Sequence, residues 1–133
     1  MRPLFTQQVT FIYTRDLDTG SAFLGKILGL RRVLNQSDLC HIYEVVPNAY
    51  LGICVDHEPP KNPGLTYSFV SDDVDAHYTL LVERGVEFEA PPAYSEKFQV
   101  YSAFFRGPEN YRFELQTFRD PDWTTKTTIT EPT

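Results

Sequence analysis

The chain has 133 residues, with 12 basic against 18 acidic side chains and a net charge of −6. That balance, without any cluster of Lys or Arg, excludes an ordinary nucleic-acid surface. No run approaches the length needed to span a bilayer and the start, MRPLFTQQ, has no apolar signal segment, so a cytoplasmic protein is expected, away from membranes.

The length suits one ordinary domain or two small fused modules. Hydrophobic residues make up 41% of the chain, and its 10 Phe and 8 Tyr exceed what a minimal core requires. A surplus of rings can line a pocket. Cys40 and Cys54 have no CxxC spacing, which excludes a zinc ribbon or thioredoxin motif. Both lie in strand-like runs and are expected as separate, reduced, buried residues.

In chain order, Gln8 to Thr14 (QVTFIYT) reads as a strand, rich in β-branched and aromatic residues. Asp16 is a helix N-cap candidate. Phe23, Leu24, Ile27 and Leu28 follow at helical spacing, and Gly29 stops the run. Arg32 to Leu34, Leu39 to Val46 and Tyr50 to Val55 read as strands, with a turn at Asn35 to Asp38. Three prolines within Glu58 to Gly64 mark a linker, with a solvated His57 before it.

The second half repeats this order. Leu65 to Ser71 reads as a strand and Asp72-Asp73 as a cap. Val74, His77, Tyr78 and Leu81 recur at helical spacing, and Gly85 closes the helix. Val86 to Glu89 and Phe98 to Phe105 read as strands around the break at Ala90-Pro91-Pro92. Asp16-Leu17-Asp18 matches Asp73-Val74-Asp75 at an offset of 57, and Gly29-Leu30 matches Gly85-Val86 at 56. Each half thus reads as a βαβββ module, and the two in tandem make the fold class α+β. The first module takes residues 1–57, the linker 58–64, the second module 65–119, and a Thr-rich tail 120–133. The tail, with Thr at six of its last ten positions, is expected to be disordered; an arm on a partner chain is the alternative.

The stretch Phe104 to Phe118 (FFRGPENYRFELQTF) reads as strand, turn, strand. In its last strand Tyr111, Phe113, Leu115 and Thr117 alternate with Arg112, Glu114, Gln116 and Phe118. One face is apolar; the other carries a cation, a carboxylate and an amide in a row.

Three segments, Val9 to Leu30, Leu65 to Phe88 and Phe104 to Phe118, together resemble the vicinal oxygen chelate superfamily of glyoxalases, bleomycin-resistance proteins and extradiol dioxygenases. The resemblance implies two tandem βαβββ modules forming a curled mixed sheet around a cavity. In metal-using members, it implies ligands on the first strand of each module and a carboxylate on the last strand of the second. The carboxylate matches Glu114. The first-strand positions, seven residues before each capping Asp, fall on Val9 and Thr66, neither a suitable metal ligand. Gln8 is one residue away and would reach the site only through a bulge. No complete metal site is expected. His41 is the one histidine retained as a candidate, and His77 is assigned to packing.

Two functions follow from the resemblance. The first is a metal-free binding protein like the bleomycin-resistance branch, holding a cationic or aromatic small molecule with Glu114, Arg112, Gln116, Tyr101, Phe11, Tyr13 and His41. The alternative is a lyase or dioxygenase in which Glu114, with Gln8 or His41, holds a divalent metal, or in which Glu114 is a general base. A homodimer is expected in either case, since pairing would cover the sheet edges.

Overall fold

The computed structural model describes residues 3–123. The first half runs β1 (Gln8–Thr14), α1 (Leu17–Ala22), β2 (Arg31–Gln36), β3 (Cys40–Val46) and β4 (Ala49–Val55). The second runs β5 (Thr66–Val70), α2 (Val74–Glu83), β6 (Ala93–Ser95), β7 (Val100–Arg106) and β8 (Arg112–Phe118). Each half folds its strands into a four-stranded sheet of the same order, β1-β4-β3-β2 and β5-β8-β7-β6. In both sheets the first strand pairs parallel to the last, and the other pairs are antiparallel. The architecture is α+β, with two mixed sheets.

The repeat extends to the cap chemistry. Asp16 accepts from the Thr19 N–H at 3.2 Å, and Asp73 from the Ala76 N–H at 3.1 Å. The backbone N–H of each Asp donates to a hydroxyl just past the preceding strand's core residues, Thr14 Oγ1 at 3.2 Å and Ser71 Oγ at 3.0 Å. Gly29 and Gly85 leave the helical segments at φ +74° and +94°, a conformation that a Cβ disfavours. The first helical segment widens after Ala22. The Leu28 N–H reaches the Phe23 carbonyl, five residues back, at 3.0 Å.

Each sheet is covered by helix on one face only. On the covered faces lie Ile12, Leu51 and Ile53 in the first sheet and Phe105, Phe113 and Leu115 in the second, all buried. Leu24, Val74 and Leu81 join them from the helical segments in a single cluster. The opposite faces carry Val9, Phe11 and Tyr13 in the first sheet, and Thr66, Ser68 and Val70 beside Glu114 in the second.

Two expectations about the fold are corrected. Val86–Glu89 is not a strand: only Phe88 bridges, to Phe105, and the edge strand forms after the prolines, at Ala93–Ser95. Cys40 and Cys54 are not separate thiols. They are direct partners across β3 and β4, with Cα atoms 4.1 Å apart, and form a disulfide. Their neighbours Leu39 and Val55 hold a ladder hydrogen bond, so the cysteines occupy the non-hydrogen-bonded position, where facing side chains come closest. The β2–β3 turn is made by Ser37 and Asp38, both at positive φ, without a glycine. Of the tail, Trp123 stacks on Phe118 with centroids 3.9 Å apart; residues 124–133 lie outside the described residues. No helix among the described residues is long and apolar enough to cross a membrane.

Candidate functional site

β8 lies between β5 and β7, and this double pairing fixes which way each side chain points. Phe113 and Leu115 go to the covered face, 0% and 6% exposed. Arg112, Glu114, Gln116 and Phe118 go to the other. Register adds Ser68 from β5 and Phe104 from β7, both opposite Glu114, and Ser102 opposite Gln116. The sequence had placed the first three in a row; it missed Ser68, Phe104 and Ser102, which only the strand register brings to them.

Arg112 is held by a carboxylate and a ring. Its Nε and a terminal nitrogen donate to the two Glu89 oxygens at 3.1 and 2.9 Å, a bidentate pair. Its guanidinium carbon is 3.9 Å from the Phe104 ring centroid. The Glu89 hydrogen bond pushes the Arg112 pKa up, with smaller upward contributions from the Glu89 and Glu114 charges. The same hydrogen bond holds the Glu89 carboxyl below the usual carboxylate range. Arg106 shares the same carboxylate at 3.5 Å, so Arg112 is a paired, stacked wall rather than an open anion receptor.

Gln116 is 3% exposed. Its Nε2 donates to Ser68 Oγ at 2.9 Å, while its Oε1 is buried with no hydrogen-bond partner among the described residues. A buried, unmet acceptor is costly and calls for a donor. With the half-buried Glu114 carboxylate beside it, this face of β8 is rich in acceptors.

The remaining predicted residues divide. Phe11 and Tyr13 lie on the uncovered face of the first sheet, 42% and 38% exposed. His41 does not: it points to α1, buried, with Nδ1 2.7 Å from Ser21 Oγ, which also meets Tyr43. Tyr101 does not either. It pairs with Thr117 on the α2 side of its sheet, and its hydroxyl donates to Asp75 at 2.5 Å. His77 makes a hydrogen-bond contact, its Nδ1 2.5 Å from Ser71 Oγ, but it is exposed on α2 rather than packed. A cavity of about 550 Å³ lies between α2 and β5, walled by Phe69, His77, Leu80, Leu81, Arg84 and Leu115. Glu114 also borders it, but alternation sends the Glu114 side chain the other way, so that space is not built around the carboxylate.

The residues do not fit a complete divalent-metal site. β1 pairs with β4 without a bulge from Gln8 to Thr14, so Val9, not Gln8, shares the uncovered face with Phe11. Gln8 lies on Thr10's side, its amide 3.5 Å from Thr10 Oγ1. Val9 and Thr66 thus hold the two first-strand positions with a hydrocarbon and a neutral hydroxyl. Among the described residues no three His, Cys, Asp or Glu side chains converge.

Solved structures share this fold. A glyoxalase/bleomycin resistance protein/dioxygenase from Nocardioides matches with a TM-score of 0.75 and 19% identity, over 96% of this chain and 91% of its own. A lactoylglutathione lyase from Agrobacterium tumefaciens matches with a TM-score of 0.70 and 20% identity, over 92% and 100% of the two chains. A fosfomycin resistance protein from Mesorhizobium loti matches with a TM-score of 0.65 and 20% identity, over 87% and 93%. No curated protein sequence matches the chain. The family profile described as Glyoxalase/Bleomycin resistance protein/Dioxygenase superfamily matches residues 6–115, and with the duplicated modules and the Glu114 strand in place, the chain belongs to that superfamily.

Proposed function

We propose that this chain is a small-molecule-binding protein of the glyoxalase/bleomycin-resistance type, working as a homodimer and taking a cationic, aromatic ligand without a complete metal site. The observation that carries this reading is the acceptor-rich face of β8. Glu114 offers a half-buried carboxylate, Gln116 leaves a buried carbonyl oxygen unmet beside it, and the two nearby cations, Arg112 and Arg106, are both engaged by Glu89. A ligand bearing N–H donors or positive charge matches that face, and one bearing a carboxylate or phosphate does not. The net charge of −6 favours the same ligands at long range.

Glu114→Gln tests it. The neutral amide should weaken cationic aromatic ligands about tenfold or more and leave neutral ones within twofold, by calorimetry. Equal affinity of both proteins for every cation would remove Glu114 from the site. Elemental analysis of unchelated protein separates the alternative reading: about one tightly held divalent ion per chain would favour a metal-dependent lyase or dioxygenase. Sedimentation equilibrium checks the dimer, and a monomer at all concentrations would count against it.

A further inference from the structure

His41, Ser21 and Tyr43 form a buried hydrogen-bonded chain that the β8 face does not use. His41 and Tyr43 come from β3 and Ser21 from α1, and they are 6%, 5% and 6% exposed. Three contacts join them. The Tyr43 hydroxyl donates to the Ser21 carbonyl at 3.0 Å. Ser21 Oγ meets the Tyr43 hydroxyl oxygen and lies 2.7 Å from His41 Nδ1.

The protons available fix the direction of each contact. A carbonyl cannot donate, so the single Tyr43 proton goes to the Ser21 carbonyl. The contact between the two hydroxyls then takes the single Ser21 proton. Ser21 Oγ is left as an acceptor toward His41, and a neutral His41 must carry its proton on Nδ1. Nε2 is therefore a lone pair held in place, an acceptor that cannot become a donor without breaking the chain.

That lone pair has no partner among the described residues. Gln116 Oε1 is the one sealed side-chain polar atom left unmet among them, so Nε2 opens onto free space. The space that His41 borders is a cavity of about 540 Å³, lined also by Arg15, Asp16, Leu17, Asp18 and Asp38. It lies at the start of α1 and the β2–β3 turn, on the helix side of the first sheet. Glu114 is on the uncovered face of the second. Three carboxylates face this cavity against one cation, and the Arg15 guanidinium is taken by Glu109 at 2.9 Å. Asp16 spends both oxygens on Thr19. Asp38 spends one on the Asn35 amide at 2.8 Å. Among the described residues no three His, Cys, Asp or Glu side chains converge, so the cavity has the charge for a cation without the cage for a metal.

We propose that this cavity is a second binding site, for a primary ammonium group on a short aliphatic chain, with His41 Nε2 accepting one N–H and Asp18 and Asp38 accepting the others. A primary ammonium carries three donors on one charged atom, which matches a lone pair set among carboxylates. Leu17 gives its chain an apolar contact. The site is independent of Glu114 and of the ligand proposed for β8, so either can fail alone.

Protein carrying nitrogen-labelled histidine tests both steps, with His41→Gln identifying the His41 signals. At about pH 8, where an ordinary imidazole is neutral, long-range proton–nitrogen spectra should show His41 protonated at Nδ1 and bare at Nε2. n-Butylammonium should shift Nε2 saturably. Tetramethylammonium, which has the charge but no N–H, and n-butanol, which lacks the charge, should bind at least about tenfold more weakly. Asp18→Asn/Asp38→Asn should weaken n-butylammonium about tenfold; both positions are exposed, so the fold should hold. Glu114→Gln should leave it within about twofold. A proton on Nε2 in the free protein overturns the relay and the site with it. So does the absence of a saturable shift up to about 50 mM n-butylammonium, or an equal response to tetramethylammonium. Loss of n-butylammonium in Glu114→Gln would place the ammonium on β8 instead, overturning the second site and leaving the cationic reading intact.

Discussion

Glu109 shows how much one residue can hold in this fold. It stands in the turn between β7 and β8 at φ +56°, a region that favours glycine. Its carboxylate accepts from the Arg15 backbone N–H at 2.6 Å, from Thr14 Oγ1 at 3.2 Å and from the Arg15 guanidinium at 2.9 Å. These bonds tie the last turn of the second half to the end of β1 in the first. The Arg15 side chain is 58% exposed, so the ion pair itself adds little; the N–H and hydroxyl bonds carry most of the effect. Glu109→Ala should cost about 1–3 kcal/mol in urea unfolding, and Arg15→Ala distinctly less. Glu89 gives a second test at this scale. Its hydrogen bond to Arg112 lowers its folded pKa below the unfolded value. The stability it contributes is therefore present above its usual range near pH 4.5 and is lost as pH falls through the lowered value. The group is 40% exposed, which keeps the effect small. Glu89→Gln should flatten the acid limb of the stability curve between about pH 5 and pH 3, and an unchanged limb would place the pH dependence elsewhere.

At the scale of elements, legibility tracked local signals. β1 matched its sequence reading from Gln8 to Thr14 because β-branched and aromatic residues fill it and Asp16 caps the helix that comes next. Val86–Glu89 carries a similar apolar alternation, yet Ala90-Pro91-Pro92 removes the donors needed to extend a ladder, so pairing resumes at Ala93–Ser95, which has little strand propensity of its own. The row Arg112, Glu114, Gln116 could be read from β8 alone. Tyr101 and His41 could not be placed, because the face of a residue depends on its partner strand's register. Tyr101 meets Thr117, on Leu115's side; had the β7–β8 register been extended from the turn, Phe104 would have been chosen instead. The cysteines failed for the same reason: the β3–β4 register brings together residues that are 14 apart in sequence. That cross-link closes a short loop, and breaking it should cost about 2–4 kcal/mol. Reductant should lower the urea midpoint of the parent protein and leave a Cys40→Ser/Cys54→Ser double variant unmoved. A parent midpoint that ignores reductant would mean the thiols are free in solution.

For the whole molecule, the question is whether the duplicated halves are independent. Each is near the size at which a chain buries only about 60% of its surface and is marginal alone. The packing argues against independence. The core cluster draws on Ile12, Leu24 and Ile53 from the first half and Phe105 and Phe113 from the second. Phe23, at the start of the widened helical turn, has its ring centroid 5.6 Å from that of Phe113 and 6.3 Å from that of Phe105. Gly107 makes room for this contact, since a Cβ there would meet the Phe113 and Phe23 rings at 2.7 and 3.0 Å. Arg84 of the second half donates to the Ile27 carbonyl of the first at 2.8 Å, and the Tyr13 N–H donates to the Tyr111 hydroxyl at 3.1 Å. Unfolding one half would strip the rings of the other, so the sheets should melt together. Calorimetry should show one transition with equal calorimetric and van't Hoff enthalpies. Phe23→Ala should lower the stability of that single transition by about 3–5 kcal/mol, and fragments 1–57 and 65–119 should not fold when expressed separately. Two resolved transitions, or a fragment with protected amides, would show instead that each module is a domain in its own right and that the shared aromatic contact is a docking surface between them.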